Sequence, residues 1–308
     1  MELSMMERFG ILEVAPRIIL GKFPKLKKIA KKIRAKSSHG EPAEVNASMA
    51  PAYFEKLEKI INIDDIVLIH SSMDGLESIG ISAEDFMDFM RKQTEEKKVT
   101  FVLPCFPITN LKLPTEKSRP YDPKKTLCWT GMLPNTFLGD KDVIRTSFPY
   151  NSLAAMGPKA AEMMSKDSEQ VYVYDENSAW SYCLEHHAKI LFVGVKASCS
   201  NTMAIHMTPD VMGNEWPVKN WHEDRIYKVR LNGEVIQKPV KVQADCWYKY
   251  CMEERTSGRL KEAGVLIEES VGCCNLGIVE DCRTMMDEMI ALAKNGKLSY
   301  MIPKNKYR

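Results

Sequence analysis

The sequence predicts an α/β protein whose mostly parallel sheet is covered by helices on both faces, with an antiparallel hairpin subregion. Runs of consecutive apolar residues alternate with helical patterns, and strands that are apolar throughout are typical of a doubly covered sheet. After residue 225 the pattern changes to two alternating runs joined by Asn232-Gly233, a strong hairpin signal. The 308 residues, 44% hydrophobic and 27% charged, suffice for one large domain with a substantial core.

Each element rests on its own hydrophobic pattern. Helical spacing places Phe86, Phe89 and Met90 on one face, whereas the strands are short runs of consecutive apolar residues. In chain order the predicted elements are a helix at 51–61, a strand at 65–70, a helix at 83–92, strands at 99–104 and 189–195, hairpin strands at 226–231 and 234–242, and a closing helix from 279 to about 294.

The first 40 residues are cationic, with ten Lys/Arg against three Glu and a net charge of +7. The other 268 residues carry 33 basic and 38 acidic groups, a net charge of −5 that argues against nucleic acid as a partner. Apolar residues at helical spacing from Ile19 to Ile33 predict an amphipathic helix interrupted near Pro24, and 37–42 is typical of a linker. We therefore expect an N-terminal segment at 1–45 and a main domain at 46–308. The segment is expected to dock on protein, with an anionic membrane surface as the alternative partner for residues 1–40.

Two features that the sequence lacks bear on the cellular compartment in which the protein is expected. No run approaches the roughly 18 apolar residues of a membrane span, and no secretory signal is recognised. The nine cysteines are odd in number and follow no disulfide spacing, which favours reduced thiols. A cytoplasmic protein is expected, at the inner face of the membrane if the basic segment binds lipid. The sequence leaves a homo-oligomer open.

Polar residues follow the first predicted strand at its carboxyl end. In open α/β sheets, ligands bind beyond the carboxyl ends of strands, which is where His70, Ser71 and Ser72 lie. Their hydroxyls and the free backbone N–H groups suit a pyrophosphate or a pantetheine amide. The alternative is that the two serines only turn the chain or cap the next helix.

A second polar cluster follows the strand predicted at 189–195. Ser200, Asn201 or Thr202 can cap a helix, and His206 lies four residues after Thr202 on the same face. A histidine there points toward the strand ends and can accept a proton near neutral pH. A purely structural histidine is the alternative on this pattern alone.

Metal and nucleotide-loop chemistry have little support. His186 and His187 are adjacent, so a helix directs them to different faces, whereas a helical metal pair needs a spacing of three or four. No glycine-rich phosphate loop is present either. We expect no metal, and neither NAD nor a P-loop nucleotide.

Several short motifs occur in a fixed order along most of the chain. They are VLIHSSM at 67–73, FVLP at 101–104, YDP at 121–123, TGML at 130–133, RTSFP at 145–149, SLAAMG at 152–157, ENS at 176–178, LFVGV at 191–195 and SNT at 200–202 with His206. In this order they resemble the aminoglycoside 3-N-acetyltransferases, also called antibiotic N-acetyltransferases. The similarity runs, with gaps, from about Ile61 to Ala293.

The resemblance implies an enzyme that transfers an acetyl or other short acyl group from acyl-CoA to the primary amine of an amino sugar. Carried onto this chain, it makes His206 the general base, with Asn201 and Glu176 near the reacting groups. A positioned imidazole contributes about 10²–10⁴-fold, and the rate is expected to rise with pH through an ionisation at about pH 6–8. The expected coenzyme A contacts are His70, Ser71, Ser72, Met73, Arg145, Ser147 and Pro149. The expected acceptor contacts are Phe106, Asp122, Asp210 and Trp216.

The chain departs from the family pattern in three places. Phe148-Pro149 stands where many members have His-Pro, and the paired glycines after the serines are reduced to Gly80. Pro209 occupies the position of a common acidic residue, with Asp210 one later. Because polycations need several carboxylates, the expected acceptor is a nucleotide-linked or otherwise phosphorylated amino sugar for surface polysaccharide. The alternatives are an aminoglycoside antibiotic and, in another class, a non-catalytic binding or scaffold protein on the same fold.

Overall fold

The structure, a computed structural model, describes residues 3–23, 47–108, 119–199 and 201–307. The linker predicted at 37–42 lies outside the described residues. So does the part of the predicted amphipathic helix that follows Phe23.

The described residues form helices and strands in the following order. The helices are α1 (Met5–Arg8), α2 (Ile11–Lys22), α3 (Ala50–Ile60), α4 (Met73–Glu77), α5 (Ala83–Lys97), α6 (Met132–Phe137), α7 (Ala160–Met163), α8 (Ala179–Glu185), α9 (Thr208–Met212), α10 (Glu253–Glu262) and α11 (Cys282–Lys294). The strands are β1 (Ile66–Ser71), β2 (Thr100–Pro104), β3 (Ile144–Arg145), β4 (Leu153–Met156), β5 (Lys189–Val193), β6 (His222–Leu231), β7 (Glu234–Gln243), β8 (Ile267–Val271) and β9 (Cys274–Val279).

Within the described part of the chain, seven strands form one sheet in the order β3-β4-β2-β1-β5-β9-β8. The centre is parallel, because β1 pairs with both β2 and β5 in that sense. The flanking strands β4 and β9 run antiparallel to their neighbours, so β3 and β8 again point the same way as the centre. The predicted class is confirmed, with β6 and β7 as the separate antiparallel hairpin.

Both faces of the central strands β1, β2 and β5 are buried, which explains why these strands show no alternation of polar and apolar residues. Successive residues of a strand point to opposite faces. Val67 and Ile69 pack with α3 and α5, and Leu68 packs with α8 and α11 on the other side. Each large apolar side chain buried in this way contributes about 1.5–3 kcal/mol. The carboxyl ends of β1, β2 and β5 therefore meet at one rigid edge.

The hairpin forms where the sequence predicts it. Asn232 and Gly233 have φ angles of 50° and 88°, and their neighbours Leu231 and Glu234 pair directly, so the turn is a two-residue turn with both residues left-handed. Val229 packs into the main core, and the backbone N–H of Tyr121 donates to the Lys228 carbonyl oxygen at 2.8 Å. The hairpin thereby forms a wall beside the sheet edge.

The outer strands were not predicted. β4 is only four residues long and contains two alanines, which have low strand propensity. β9 starts in a stretch without apolar alternation, and the closing helix begins at Cys282 rather than at 279. Pairing with β2 and β5 supplies the hydrogen bonds that local propensity does not indicate.

The N-terminal helices pack on α10. The guanidinium of Arg255 donates to the Glu7 carbonyl oxygen at 2.7 Å, and Lys261 forms an ion pair with the Glu7 carboxylate. Gly258 permits this approach, since a Cβ there would lie 2.6 Å from the Glu7 carbonyl oxygen. In the described ranges, no helix combines the length and apolar character needed to cross a membrane.

Candidate active site

A cavity of about 430 Å³ lies between the sheet edge and the hairpin wall. Its apolar walls are aromatic and come from Phe106, Trp129, Tyr150 and Tyr248. Its polar lining includes Asn151, Asn201, His206, Arg225, Asp245 and Glu253. An apolar cavity with a few convergent polar groups is the usual form of a small-molecule site.

His206 is placed in this cavity by a single π-helical turn, Met203–Met207, which continues into α9. Such turns are rare and are frequent at functional sites, because the extra residue re-aims a side chain. The sequence predicted an ordinary helix here. The structure keeps the predicted direction of His206 toward the strand ends.

Two distant side chains orient the imidazole. The Nδ1 atom of His206 lies 2.9 Å from Oε1 of Gln243 and 2.6 Å from the hydroxyl of Tyr300. The Tyr300 hydroxyl lies 3.2 Å from the amide nitrogen of Gln243 and 3.3 Å from its Oε1, and it is Oε1 that faces the imidazole. Because a carbonyl oxygen only accepts, Nδ1 carries the proton and Nε2 keeps its lone pair. Nε2 forms no hydrogen bond with any described residue, so it can accept a proton in the cavity.

Burial sets the charge of this imidazole. Desolvation lowers the pKa of His206 to about 4, and the hydrogen bond with Gln243 opposes this shift only in part. The side chain is therefore neutral throughout the neutral pH range. This corrects the expectation of an ionisation at about pH 6–8, which assumed an unperturbed histidine.

Asn201 holds the turn that carries His206. Its Oδ1 accepts the backbone N–H of Ala204 at 3.1 Å, and its carbonyl oxygen accepts the N–H of Ile205 at 3.2 Å. The residue is 2% exposed and also lines the cavity. Of the predicted capping residues, Asn201 has that role and holds the turn that carries His206, whereas Ser200 lies outside the described residues.

A smaller cavity of about 170 Å³ adjoins the large one at the end of β1. Phe106, Trp129, Cys199 and Thr202 line both, so the two form one groove. Ser71 lines its inner end. The groove thus runs from the sheet edge to His206.

His70 lies beside Ser71 at this inner end. Its ring stacks on Phe192 with centroids 5.1 Å apart, and burial lowers the pKa of His70 to about 3. Its Nε2 atom is buried and has no partner among the described residues. A buried polar atom at a groove needs a partner, and a bound ligand can supply it.

Ser72 and Met73 turn away from the groove. The backbone N–H of Ser72 donates to the Val193 carbonyl oxygen at 3.0 Å, and the side chain of Met73 is buried in the core. Gly75 allows the turns after β1 and β5 to touch, since a Cβ there would lie 2.2 Å from the Gly194 carbonyl oxygen. Of the four expected coenzyme contacts at 70–73, only His70 and Ser71 line the groove.

Arg145 points into the protein. Its guanidinium donates to the carbonyl oxygens of Thr126 and Cys105 and to the Ser152 hydroxyl, the last at 3.3 Å. It also lies over the ring of Tyr121, 5.1 Å from the centroid. The side chain is buried and braces the loops around the site instead of reaching the groove.

The rest of the 145–149 segment is also buried. The Ser147 backbone N–H donates to the Asp167 carboxylate, and Pro149 is covered. The residues that follow, Tyr150 and Asn151, are those that line the large cavity. The 145–149 segment therefore contributes to the site through the two residues that follow it.

Two other expected site residues lie away from the cavity. Oδ1 of Asp122 accepts the backbone N–H of Lys124 at 3.0 Å and closes a turn. Glu176 is exposed in the loop before α8, where Ser178 rather than Glu176 caps the helix. The structure does not bring either carboxylate to His206.

Asp210 and Trp216 line a different cavity of about 360 Å³, which shares no lining residue with the groove. Asp210 is paired with Nε2 of His222 at 2.6 Å, and burial raises its pKa although this partner opposes the shift. Trp216 packs edge-to-face on Trp221 with centroids 5.1 Å apart. Of the expected acceptor contacts, only Phe106 lies in the cavity with His206.

Several lining residues of the cavity, four of them in or after the hairpin, were not identified from the sequence. Arg225 donates to Asp245 at 2.8 Å, and Arg17 donates to Glu253 at the same distance. Burial raises the pKa of Glu253 although Arg17 opposes this. Those in or after the hairpin are Arg225, Asp245, Tyr248 and Glu253, and Pro107, Trp129, Tyr150 and Asn151 were missed as well.

In the part of the chain that is described, no group of three or more His, Cys, Asp or Glu side chains is arranged as a metal site. Nδ1 of His186 lies 3.0 Å from the Tyr182 carbonyl oxygen, and Nδ1 of His187 lies 3.1 Å from Asp281. Each of the two adjacent histidines therefore has its own protein partner.

Comparison with known families decides between an enzyme and a non-catalytic scaffold protein, the two classes that the sequence left open. The sequence model of the aminoglycoside 3-N-acetyltransferases matches residues 68–293. The chain belongs to this family. It is therefore an acyl-CoA-dependent N-acetyltransferase with acyl-CoA as its co-substrate. No curated protein matches the chain.

Solved structures share the fold at low identity. AAC-IIIb, as a binary complex with CoASH, is 12% identical with a TM-score of 0.68, covering 83% of this chain and 98% of that one. Sisomicin-bound AAC-VIa is 15% identical with a TM-score of 0.67, covering 80% and 98%. The YokD protein from Bacillus subtilis is 18% identical with a TM-score of 0.62, covering 80% and 99%. Residues 3–23 precede the region that the family match covers.

The two serines of the enzyme offer a matched test of the coenzyme end of the groove. Ser71→Val removes a hydroxyl from the groove and adds bulk, so we expect calorimetry to show at least fivefold weaker CoA binding, about the value of one lost hydrogen bond. Ser72→Val is the control, because this side chain does not line the groove, and its CoA affinity should stay within twofold. Equal effects of both variants would contradict the placement.

Proposed function

We propose that the enzyme transfers an acetyl group from acetyl-CoA to a primary amine of an aminoglycoside or a similar polyamino sugar, with His206 as general base. The observation that carries this is a neutral imidazole whose Nε2 lone pair has no described partner, in a cavity continuous with the end of β1. Family membership supplies the reaction class.

The proposed chemistry is a direct transfer. An ammonium must lose a proton before its nitrogen can attack the thioester carbonyl, and Nε2 of His206 accepts that proton. The C–N bond forms, the C–S bond breaks, and the CoA thiolate leaves. The nitrogen loses its second proton as the amide forms, the thiolate takes up that proton, and His206 releases the first one to solvent. The hydrogen bond from Nδ1 to Gln243 stabilises the imidazolium that forms on the way.

The coenzyme is proposed to enter along the narrow arm of the groove. Ser71 and the unpartnered Nε2 of His70 face this arm and suit the amide groups of pantetheine. The thioester would then lie between the end of β1 and His206. The aromatic side chains of Phe106 and Trp129 line both cavities and offer apolar contact to the coenzyme.

The charges of the cavity support an amine-rich acceptor over a phosphorylated one. Asp245 and Glu253 place two carboxylates in the lining. Arg225 is shared between Asp245 and Glu223, and Arg17 between Glu253 and Glu13, so carboxylates outnumber guanidinium groups there. Trp216, one of the expected acceptor contacts, lies in the other cavity. The known structures also include aminoglycoside complexes, such as AAC-VIa with sisomicin. We therefore replace the nucleotide-linked acceptor by the aminoglycoside alternative.

The test is an acceptor panel with the full-length chain and acetyl-CoA. Thiol release and mass spectrometry are expected to show one added acetyl group on polyamines such as sisomicin or apramycin, and none on a nucleotide-linked amino sugar. The His206→Asn variant serves as the background control. Acetylation of the nucleotide sugar alone would overturn the acceptor class, and thiol release equal to that of the control would overturn the proposal.

A further inference from the structure

A residue from outside the region of family similarity reaches the lining of the large cavity. Arg17 lies on α2, whereas the family match begins at residue 68. Its guanidinium donates to Oε2 of Glu253 at 2.8 Å and to the Cys251 carbonyl oxygen at 2.5 Å. Glu253 lines the cavity that contains His206. A helix outside the family match therefore supports one wall of the proposed acceptor site.

The helix α2 is fixed against the domain, so Arg17 is held in place. Val14 is fully buried, and the carboxylate of Glu13 accepts the backbone N–H of Arg255 at 2.8 Å. Arg17 follows Glu13 by four residues, and its Nη2 lies 3.5 Å from Oε2 of Glu13. Because the guanidinium is shared between Glu13 and Glu253, it orients the Glu253 carboxylate without fully cancelling the negative charge there.

The charge of Glu253 depends on this partner. Burial raises the pKa of Glu253, the positive charge of Arg17 and its hydrogen bond oppose that rise, and Glu254 adds to it. Without Arg17, the protonated form of Glu253 would persist to higher pH. The titratable groups that interact electrostatically with Glu253 are Arg17 and Glu13 on α2, Glu254 on its own helix, and the thiols of Cys199 and Cys251.

We propose that Arg17 is a positioning residue for the acceptor: it fixes the Glu253 carboxylate in the cavity wall and keeps it ionised, so that Glu253 binds an ammonium group of the amino sugar. An ionised carboxylate forms a charge-assisted hydrogen bond with an ammonium, and such bonds are about twice as strong as neutral ones. This rests on the proposed function, which supplies an acceptor with several ammonium groups. It makes the N-terminal helix α2 a determinant of acceptor specificity.

The first measurement does not depend on the acceptor. An NMR titration of the full-length chain, isotope-labelled at its glutamate carboxyl groups, follows Glu253, whose resonance is the one missing from the Glu253→Gln variant. Removal of a positive partner at hydrogen-bond distance should raise the pKa of Glu253 by about 1–3 pH units in Arg17→Met. Arg17→Lys keeps the charge, so the pKa of Glu253 should stay closer to that of the parent chain.

Acceptor kinetics with sisomicin give the second measurement. In Arg17→Met, KM for the acceptor should rise at least about fivefold at pH 6 and no more than about twofold at pH 8, where Glu253 ionises without its partner. The kcat should stay within about threefold of the parent value, because His206 and the coenzyme arm are unchanged. Glu253→Gln should show the raised KM at both pH values, since its side chain carries no charge at either.

Arg255→Met is the matched control. The Arg255 guanidinium also ties α10 to the N-terminal helices, through the Glu7 carbonyl oxygen at 2.7 Å, but it does not line the cavity. This variant should keep the parent pKa of Glu253 and the parent KM, even where its melting temperature falls.

The proposal is overturned if the pKa of Glu253 is the same in Arg17→Met and the parent, or if Arg255→Met changes it equally. It is also overturned if the KM of Arg17→Met rises equally at pH 6 and pH 8, which is the result expected of a merely structural arginine. If the parent chain does not acetylate sisomicin, the proposed function fails instead, and the titration alone then decides the role of Arg17.

Discussion

Replacement of His206 by alanine is expected to lower kcat by at least 10²-fold, with the Kd for CoA changed less than threefold. The variant removes the only imidazole among the described residues that line the cavity, and alanine offers no group that could accept the proton. His206→Asn is the better isostere, because its amide keeps a polar group there but cannot accept the proton. Thiol release with a saturating acceptor measures kcat, and calorimetry measures the CoA affinity.

The pH profile separates a base from a merely structural histidine. A base with a pKa of about 4 is deprotonated and active above that value, so the acid limb of kcat should lie near pH 4 and the rate should be insensitive to His206 ionisation between pH 6 and 8. Any rise in kcat/KM above neutral pH then reports the acceptor ammonium. Near-normal turnover in His206→Asn, or a limb at pH 6–8 that this variant abolishes, would contradict the assignment.

Replacement of Arg145 by methionine is expected to lower the free energy of unfolding by about 2–5 kcal/mol. The guanidinium is the partner of the Thr126 and Cys105 carbonyl oxygens, and each acceptor left buried without a donor costs about 1–3 kcal/mol. Methionine has similar length and no charge, so the loss reports the hydrogen bonds more than the volume. Urea unfolding measures the change.

The same variant tests the role that the family resemblance implied for Arg145. If the side chain braces the loops, CoA affinity measured well below the melting temperature should stay within about threefold of the parent. Arg230→Met is the control, because this arginine is 44% exposed and should change stability by no more than about 0.5 kcal/mol. Unchanged stability of Arg145→Met together with tenfold weaker CoA binding would restore a direct coenzyme contact.

The elements that the sequence predicted well are those with a local cause. β1, β2 and β5 are continuous apolar runs because both of their faces are covered, and Asn232-Gly233 can adopt the left-handed turn directly. The short strand β4 escaped prediction because its hydrogen-bond partner lies about fifty residues earlier in the chain. Its two alanines carry no strand signal of their own.

The site residues divide in the same way, into those that local sequence predicted and those whose placement depends on distant partners. His206, Ser71 and Phe106 follow strands whose ends meet at one edge, so motif order and strand position placed them in one groove. Arg145, Asp210 and Trp216 were expected at the ligands, but the structure gives them protein partners or another cavity. A motif names the residue type at a position, and the direction of its side chain depends on what packs around it.

The N-terminal segment shows most clearly what the sequence alone could not predict. Since every motif lies after Ile61, the sequence placed residues 1–45 apart from the chemistry. In the structure Arg17 is bonded to Glu253, a lining residue of the cavity 236 positions later. Hydrophobic spacing predicted helical structure in this region, but not that its charged side would face the domain.

The sequence by itself therefore determined the α/β class, the central strands, the hairpin and the family, because each depends on short local patterns or on short motifs in a fixed order. Only the tertiary structure decided that Gln243 and Tyr300, 37 and 94 positions from His206, set its tautomer, and that burial makes it neutral. It also decided that Arg145 points inward. Those properties follow from which distant groups share a desolvated volume, and no local pattern encodes that.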